Sequence, residues 1–463
     1  ASLPNPWPHF LGYNKVLPRE GCDVPITIGG DPLVAFGQFG KGKTAVFTSD
    51  CAPHWGPQEF LAWEGYNVLW KGIFDYLREE KTMDRDEALS VLKMLVETNT
   101  TNPPGNEQRL AEKIKGLLDG SVAESYIVPC GEDRASLVSK IVGTGKEPPL
   151  ILCGHMDTVP FGDPERWSFP PDQLTQKGDL LYGRGTSDMK SGLAAMLCAF
   201  RTAARREESP RGDIYLALTA DEESSGLGAE TIAAELPLQG GILYIAEPTD
   251  NAIGICSKGS LWVRLNVQGQ TAHGAYPEKG VNAVDAAYEA YTNIRKYVEG
   301  VHHALLGHAT CTLSGISGGV KENMVADRCT MTLDIRTTPN LSNQDALQQI
   351  KRICCEVCGG HTGAVISLDV LNDRSPVSID PEVSAVQSLR KIVHKCTGVM
   401  PMHKGIKFFS DASIFIRHCS KLQCIQFGPG RDDCAHIADE FVETNKYLAA
   451  VVCYDELLRA YFD

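Results

Sequence analysis

A short apolar segment that ends in a histidine and an aspartate constrains this chain more than any other feature. Residues 150–154 are apolar or small, and His155 and Asp157 follow them. Such a run is typical of a buried strand whose polar side chains emerge at its carboxyl end. Open α/β sheets bind their ligands at that edge. We therefore expect a buried strand here, with a functional site at its end.

The same pattern, an apolar run followed by acidic residues, occurs at residues 213–223 and 241–247, and a further aspartate lies at a loop-to-helix junction. The carboxylates concerned belong to Asp157, Asp188, Glu222, Glu223 and Glu247. If these groups converge, they cannot all stay ionised without a cation, because like charges raise one another's pKa values. The pattern therefore predicts a divalent metal site, to which His155 supplies a nitrogen ligand.

These ligand types fit a pair of zinc ions about 3.5 to 4 Å apart, bridged by one carboxylate, which polarises a carbonyl and activates a shared water. Glu222 and Glu223 are adjacent, so their side chains point to opposite sides of an extended segment. One can then bind metal while the other acts on the water. Alone, such a histidine is more often structural and such an acidic pair more often solvated. The combination favours a metal site.

Composition limits the class of protein. A chain of 463 residues, 43% of them hydrophobic, suffices for two or three domains with a sizeable core. The formal charge of -14, without a long basic run, argues against nucleic-acid and membrane partners. No stretch has the length of a membrane helix or the layout of a signal peptide, so we expect a cytoplasmic protein. The 16 cysteines are scattered through apolar segments, and we expect them to be reduced.

Changes in pattern divide the chain into four predicted segments. They are residues 1–80, a first catalytic part at 84–259, an inserted domain at 260–370 and a second catalytic part at 371–463. The expected fold class is α/β, with a mixed central sheet flanked by helices. The insert alternates strands and helices as an α+β, ferredoxin-like domain does, and its length suits a lid or dimerisation unit.

Residues 84–463 resemble the dinuclear zinc amidohydrolase and exopeptidase family of acetylornithine deacetylase, succinyl-diaminopimelate desuccinylase, aminoacylase and glutamate carboxypeptidase. The matching motifs lie, in the family's order, at residues 154–160, 183–190, 220–223, 247–249 and 435–436. The resemblance implies a phosphorylase/hydrolase-like zinc exopeptidase fold and two zinc ions, for which cobalt or manganese can substitute. The implied ligands are His155 and Glu247 for one ion, Glu223 and His436 for the other, and Asp188 as the bridge.

Further roles follow from the same resemblance. It implies that Glu222 is the general base and that Asp157 orients a histidine ligand through its carboxylate. His273 of the inserted domain matches a histidine that stabilises the oxyanion, often across a dimer, so we expect a homodimer through that domain. Asn323 and Arg336 match positions that hold the substrate's carboxylate.

The expected function is removal of an acyl group from an N-acyl amino acid, by attack of a zinc-held water that Glu222 deprotonates. Glutamate at position 247 resembles the deacylase members more than the aminopeptidases. A dipeptidase or carboxypeptidase of this family, and a metal-free binding protein on this fold, are the alternatives. One departure leaves substrate shape open, since residues 407–409, Lys-Phe-Phe, precede Asp411 where the family often has a glycine-rich turn.

The first 80 residues resemble the C-terminal end of class I glutamine amidotransferase-like domains, through residues 48–56. The nucleophilic cysteine of such domains lies upstream of the matching part. We therefore expect no catalysis from this segment, and we expect His54 to be structural rather than part of a triad. An amidotransferase subunit is accordingly a disfavoured third hypothesis.

Overall fold

The chain divides into two units, Ala1–Thr82 and Met83–Asp463, and the computed structural model describes residues 3–40, 42–51, 54–78 and 84–462. The first unit contains an antiparallel sheet and two helices. Its elements are β1 (Asp23–Ile28), β2 (Asp31–Phe39), β3 (Gly42–Phe47), α1 (Gln58–Leu61) and α2 (Tyr66–Arg78). Val34, Phe60, Leu69 and Ile73 form its buried core.

The second unit begins with twelve helices and strands that precede the inserted domain. They are α3 (Arg85–Val96), α4 (Glu107–Leu118), β4 (Glu124–Gly131), β5 (Arg134–Ile141), β6 (Leu150–His155), β7 (Thr175–Lys177), β8 (Leu180–Tyr182), α5 (Lys190–Ala203), β9 (Ile214–Thr219), α6 (Leu227–Ala233), β10 (Ile242–Ile245) and β11 (Ile253–Ser257).

The inserted domain and the rest of the second unit follow. The insert contains β12 (Ser260–Gln268), α7 (Ala283–Glu299), β13 (His302–His303), β14 (Gly307–His308), β15 (Thr310–Gly318), β16 (Arg328–Arg336), α8 (Asn343–Gly360) and β17 (Val365–Arg374). The remainder contains β18 (Val377–Ser378), α9 (Ser384–Thr397), β19 (His403–Ile406), α10 (Ala412–His418), β20 (Gln423–Gln426), β21 (Phe441–Glu443) and α11 (Thr444–Arg459).

The central sheet of the second unit has the strand order β18-β11-β20-β10-β6-β9-β5-β4, with β19 beside β11. The middle strands β20, β10, β6 and β9 are parallel, and β5 and β4 are antiparallel, which confirms the predicted mixed sheet. Every residue of β6 and β9 is buried, as in parallel strands that are covered on both faces. The carboxyl ends of these parallel strands therefore share one edge of the sheet.

The inserted domain has its own antiparallel sheet, in the order β15-β16-β12-β17, and α7 and α8 pack on it around a separate core. The β-α-β-β-α-β succession is ferredoxin-like, as predicted. The strand β17 was not predicted, because exposed and half-buried residues alternate in it without a continuous apolar face. The boundary at residue 370 consequently falls inside this strand.

The cysteines are unpaired, as the sequence led us to expect. All sixteen cysteines are free, and nine of them, among them Cys153, Cys198 and Cys453, are buried as small core residues. Among the described residues, none of the helices has the length and apolarity needed to cross a membrane.

We propose that residues 84–463 fold without the first unit, because each unit has a hydrophobic core made of its own residues. A chain that begins at Asp84 should unfold in a cooperative thermal transition and keep the far-UV circular dichroism expected from its helices and strands. The full chain serves as the control. A truncated chain that is insoluble, or that melts without cooperativity, would contradict the proposed boundary.

Candidate metal centre

Three parallel strands deliver the predicted site residues to one edge of the central sheet. His155 is the last residue of β6, Glu222 follows the end of β9 by three positions, and Glu247 follows the end of β10 by two. Since these strands are hydrogen-bonded neighbours that run in the same direction, the side chains emerge close together. The local pattern of an apolar run followed by polar residues thus sets the location of the site.

The carboxylate of Asp188 lies between two histidines from distant parts of the chain. Its Oδ1 is 3.1 Å from His155 Nε2, and its Oδ2 is 3.4 Å from His436 Nε2. His436 Nε2 also lies 3.0 Å from Glu223 Oε1. Two groups whose ligand atoms lie within 4.8 Å of one another result: His155, Asp188 and Glu247, and Asp188, Glu223 and His436. Asp188 belongs to both groups, as a bridging carboxylate must.

The chemistry of these donors fits two divalent ions. Each group offers one imidazole nitrogen and two carboxylate oxygens. Zinc, cobalt and manganese all bind ligands of these types. Three protein ligands leave a coordination position for water or substrate, and this is how catalytic zinc sites differ from structural ones. The residues present therefore suit a catalytic rather than a purely structural metal centre.

Burial and crowding shift the pKa values of these groups. Burial raises the pKa of Glu222 and of Glu247 well above the usual range, and neighbouring carboxylates raise it further. Hydrogen bonds to Asp188 and to a second carboxylate raise the pKa of His436 to about 10. Burial alone would raise the pKa of Asp188, but its hydrogen bonds to both histidines lower it. A divalent cation favours ionised acids and neutral imidazoles, so it would reverse the shifts on the glutamates and on His436.

Asp157 is held differently from the expectation that its carboxylate orients His155. Its main-chain oxygen lies 3.0 Å from His155 Nδ1, whereas its Oδ1 is 3.7 Å from that nitrogen, too far for a hydrogen bond. The carboxylate instead accepts hydrogen bonds from the backbone N–H groups of Glu222 at 3.1 Å and Glu223 at 3.2 Å. Asp157 therefore contacts the histidine through its backbone and fixes the acidic pair through its side chain.

Asn102, which the sequence analysis missed, links Asp157 to a second network. Its Nδ2 donates to Asp157 Oδ2 at 2.9 Å and to Asp221 Oδ1 at 3.0 Å. Asp221, whose backbone is left-handed with φ 68°, also accepts from Arg134, which pairs with the buried Glu107. Asn102 precedes two prolines, a pattern typical of a loop between two helices, so the local sequence gave no signal of this role.

Glu440, also missed, supports the loop that carries Asp188. Its carboxylate accepts hydrogen bonds from the backbone N–H groups of Ser187 at 2.8 Å and Asp188 at 3.0 Å, and from Arg184 Nη1 at 2.6 Å. His436, four residues before Glu440, has a left-handed backbone with φ 61°, an uncommon conformation that clusters at functional sites. One loop therefore supplies both a predicted ligand and the support of the bridging aspartate.

Asp411 adds another buried acid at this edge. Its Oδ2 has no hydrogen-bond partner among the described residues, and burial raises its pKa to about 6. The charge of Asp411 in turn contributes to the raised pKa of Glu222. The site is therefore more acidic than the predicted ligands alone make it, which increases its need for a cation.

The three remaining predicted residues lie on the inserted domain. His273 and Asn323 are exposed neighbours, since the N–H of Gly274 donates to the main-chain oxygen of Asn323 at 2.8 Å. Arg336 pairs with Asp334, with 2.9 Å between Nε and Oδ1. Within the part of the chain that the structure describes, none of the three contacts the two ligand groups. The structure thus assembles the five predicted ligands and leaves His273, Asn323 and Arg336 apart from them.

Both units of the chain resemble known protein families in sequence. Residues 151–460 match the profile of peptidase family M20/M25/M40, and residues 1–79 match that of a glutamine amidotransferase-like family. A probable succinyl-diaminopimelate desuccinylase of Staphylococcus aureus (strain MRSA252) is 30% identical over 404 residues, which are 81% of this chain and 97% of that protein. Acetylornithine deacetylase of Proteus mirabilis (strain HI4320) is 30% identical over 307 residues, 65% of this chain and 76% of that protein.

Solved structures share the fold at low sequence identity. An aminopeptidase of Bacillus cereus ATCC 10987 superposes with a TM-score of 0.69 at 17% identity, covering 83% of this chain and all of that one. A dinuclear metal-binding peptidase of the M20 family from Bacillus subtilis gives a TM-score of 0.61 at 13% identity, covering 81% and 98%. These similarities confirm the predicted α/β fold class.

The contacts of Asn102 generate a prediction for metal binding. Substitution Asn102→Ala should weaken the affinity of the site for zinc by about 10- to 100-fold, because the side chain holds Asp157, which fixes the backbone of Glu222 and Glu223. Competition with a chromogenic chelator measures this affinity. Asn340→Ala is the matched control, since that amide bonds a main-chain oxygen of the inserted domain. Equal affinities of the two variants would show that Asn102 does not support the site.

Proposed function

Since this chain belongs to peptidase family M20/M25/M40, we propose that it is a metal-dependent amide hydrolase that removes an acyl group from an N-acyl amino acid. Two relatives that are 30% identical to it over the aligned residues carry the names of a desuccinylase and a deacetylase. Glutamate at position 247 supports the same choice, through its resemblance to the deacylase members. The solved neighbours named as peptidases are too distant in sequence to argue for peptide substrates.

The observation that carries the proposal is the position of Asp188, whose two carboxylate oxygens are directed at two different histidines. We assign His155 and Glu247 to one ion, Glu223 and His436 to the other, and Asp188 to both. Divalent ions held there, which we propose to be zinc, supply Lewis-acid polarisation of the scissile carbonyl and lower the pKa of water.

Glu222 is the proposed general base. It is buried at the same edge but belongs to neither ligand group, so its carboxylate is available for proton transfer. The backbone N–H of Glu222 donates to the carboxylate of Asp157, and this contact fixes the position of Glu222 beside the proposed ligand Glu223. In this role Glu222 takes a proton from the attacking water and passes it to the leaving amine.

The inserted domain is the proposed dimerisation unit, and His273 the proposed donor to the oxyanion of the partner subunit's substrate. The support is that His273 and Asn323 are exposed side by side and make no contact with the ligand groups among the described residues. Asn323 and Arg336 are the proposed contacts of the substrate's carboxylate, since amide and guanidinium groups donate to it.

The function is tested on the zinc-loaded protein with a panel of N-acetyl and N-succinyl amino acids and dipeptides. We expect hydrolysis of N-acyl amino acids, loss of turnover in a chelator and recovery with zinc, cobalt or manganese. Glu222→Gln should keep its bound metal and lose about 10²- to 10⁴-fold in kcat, the usual contribution of a general base. Glu235→Gln, at an exposed glutamate, is the control and should match the unchanged protein.

Specific outcomes would contradict the metal-dependent mechanism, the deacylase activity and the assignment of the base. Full activity in chelator would contradict the metal-dependent mechanism, and dipeptide hydrolysis without deacylation would favour the dipeptidase alternative. If Glu222→Gln keeps its turnover, the base lies elsewhere; if it loses its metal, Glu222 supports metal binding rather than proton transfer alone.

The proposed role of His273 across a dimer predicts complementation between two inactive variants. When His273→Ala and Glu222→Gln chains are co-expressed, a mixed dimer contains one site with both defects and one site with neither. Activity should therefore reappear, at up to half the unchanged activity per mixed dimer. Purified mixed dimers that stay inactive, although each chain binds metal, would place His273 and Glu222 in the same subunit's site.

A further inference from the structure

Four cationic side chains lie where the chain passes between the central sheet and the inserted domain: Lys258, Arg336, Arg374 and Lys407. Three backbone contacts bring their segments together. The N–H of Lys258 donates to the oxygen of Ile406, next to Lys407; the N–H of Gly259 donates to the oxygen of Thr337, next to Arg336; and Ser260 pairs with Arg374 at the end of β17. In a chain with a formal charge of -14, this concentration of positive charge is a distinct feature.

Phe409 lies against two of these cations. Its ring centroid is 5.6 Å from the Cζ atom of Arg336 and 5.9 Å from that of Arg374. The two guanidinium carbons are therefore at most 11.5 Å apart. An aromatic face within about 6 Å stabilises a guanidinium and restricts its orientation.

Arg374 reaches from this cluster to the loop that follows Glu223. Its Nη2 donates to the main-chain oxygen of Ser225. Ser225 is two residues after Glu223, so the Cα atoms of Ser225 and Glu223 are at most about 7 Å apart. Gly226 leaves room for this contact, because a Cβ atom there would lie against Arg374 Nη2. The left-handed backbone of Gly226, with φ 70°, also favours glycine.

Two of these cations are buried without a direct ion pair. Arg374 is 7% and Lys258 is 6% exposed, and no carboxylate among the described residues lies within ion-pair distance of either. The charge of Arg374 is partly offset by the buried Asp411, whose pKa it lowers, whereas Lys258 has no such partner. Lys258 Nζ makes one hydrogen bond, to the main-chain oxygen of His308. Burial, together with Lys407 and Arg336, lowers the pKa of Lys258. Buried cations without a partner are costly, so such a group is expected to meet an anion during function.

We propose that Arg374, Lys258 and Lys407 form a second anion subsite, and that the substrate is an N-acyl amino acid with two carboxylates. The proposal rests on the proposed function of the metal centre, and it assigns the first carboxylate to Arg336. The second carboxylate belongs either to the acyl group or to the amino acid side chain. Both sources offer the same chemistry to the subsite, a carboxylate that accepts charge-assisted hydrogen bonds.

The contacts of Phe409 permit such a substrate. In an extended N-succinyl amino acid, six bonds separate the two carboxyl carbons, which places them about 7 Å apart. That separation lies within the limit that the shared ring of Phe409 sets on the two guanidinium groups.

Binding to the zinc-loaded Glu222→Gln protein, in which turnover is suppressed, tests the subsite directly. Isothermal titration calorimetry compares N-succinyl-L-leucine with its neutral-ended amide, N-succinamoyl-L-leucine, and N-acetyl-L-glutamate with N-acetyl-L-glutamine. We expect the dianion of at least one pair to bind about 10-fold more tightly than its amide, the size typical of a hydrogen bond between charged groups. The pair that discriminates identifies the source of the second carboxylate.

Substitutions in the cluster test which side chains cause the preference for the dianion. Arg374→Gln should remove most of the preference for the dianion, and Lys407→Gln, at an exposed residue, should reduce it about 2- to 5-fold and make it less sensitive to salt. Lys421→Gln, which removes one charge near the opposite end of β20, should leave the preference unchanged. If Arg374→Gln fails to fold, Lys407→Gln decides.

The proposal is overturned if neither dianion binds measurably, if both pairs bind equally, or if the preference survives in the folded Arg374→Gln and Lys407→Gln variants. Turnover by the unchanged protein separates this result from the fate of the proposed function. Hydrolysis of N-acyl amino acids without a dianion preference rejects the subsite alone. A dianion preference without hydrolysis of any N-acyl amino acid rejects the proposed function alone.

Discussion

The candidate metal centre depends on one carboxylate being held between two imidazoles. Asp188 keeps this position because its loop is fixed from behind, where Glu440 accepts the backbone N–H groups of residues 187 and 188. Without that support, the repulsion between Asp188 and the other acids at this edge would favour a rearranged loop. The buried ion pair of Glu440 with Arg184 allows a charged group to take this supporting role inside the protein.

The parallel strands and the loops contribute differently to this arrangement. The ends of β6, β9 and β10 set where the acids and the first histidine emerge, and this follows from the sheet alone. The orientation of the acids follows from contacts between separate segments, as when Asn102 bonds both Asp157 and Asp221. Coarse placement therefore comes from secondary structure and fine placement from long-range hydrogen bonds.

This difference explains how much of the protein its sequence predicts. The mixed sheet, the ferredoxin-like insert and the convergence of the ligands were all predicted, since apolar periodicity and ordered motifs are local signals. Asn102 and Glu440 were missed because each acts on residues more than 50 positions away, as between Asn102 and Asp157 with a separation of 55. The strand β17 was missed because its exposed face carries no clear alternation. The contact of Asp157 through its backbone likewise leaves no trace in side-chain chemistry.

The segment Lys-Phe-Phe at residues 407–409 departs from the glycine-rich turn often found before the aspartate in the resembling family, and the cationic cluster gives this departure a physical meaning. A glycine turn offers no ring on which guanidinium groups can stack, whereas Phe409 contacts both Arg336 and Arg374. Lys407 in the same segment adds a further positive charge. A substrate with a single carboxylate would meet Arg336 and leave the buried Lys258 without a paired anion. Under the proposed subsite, the sequence departure and the clustered charge are one adaptation, which would favour substrates that are anionic at two positions.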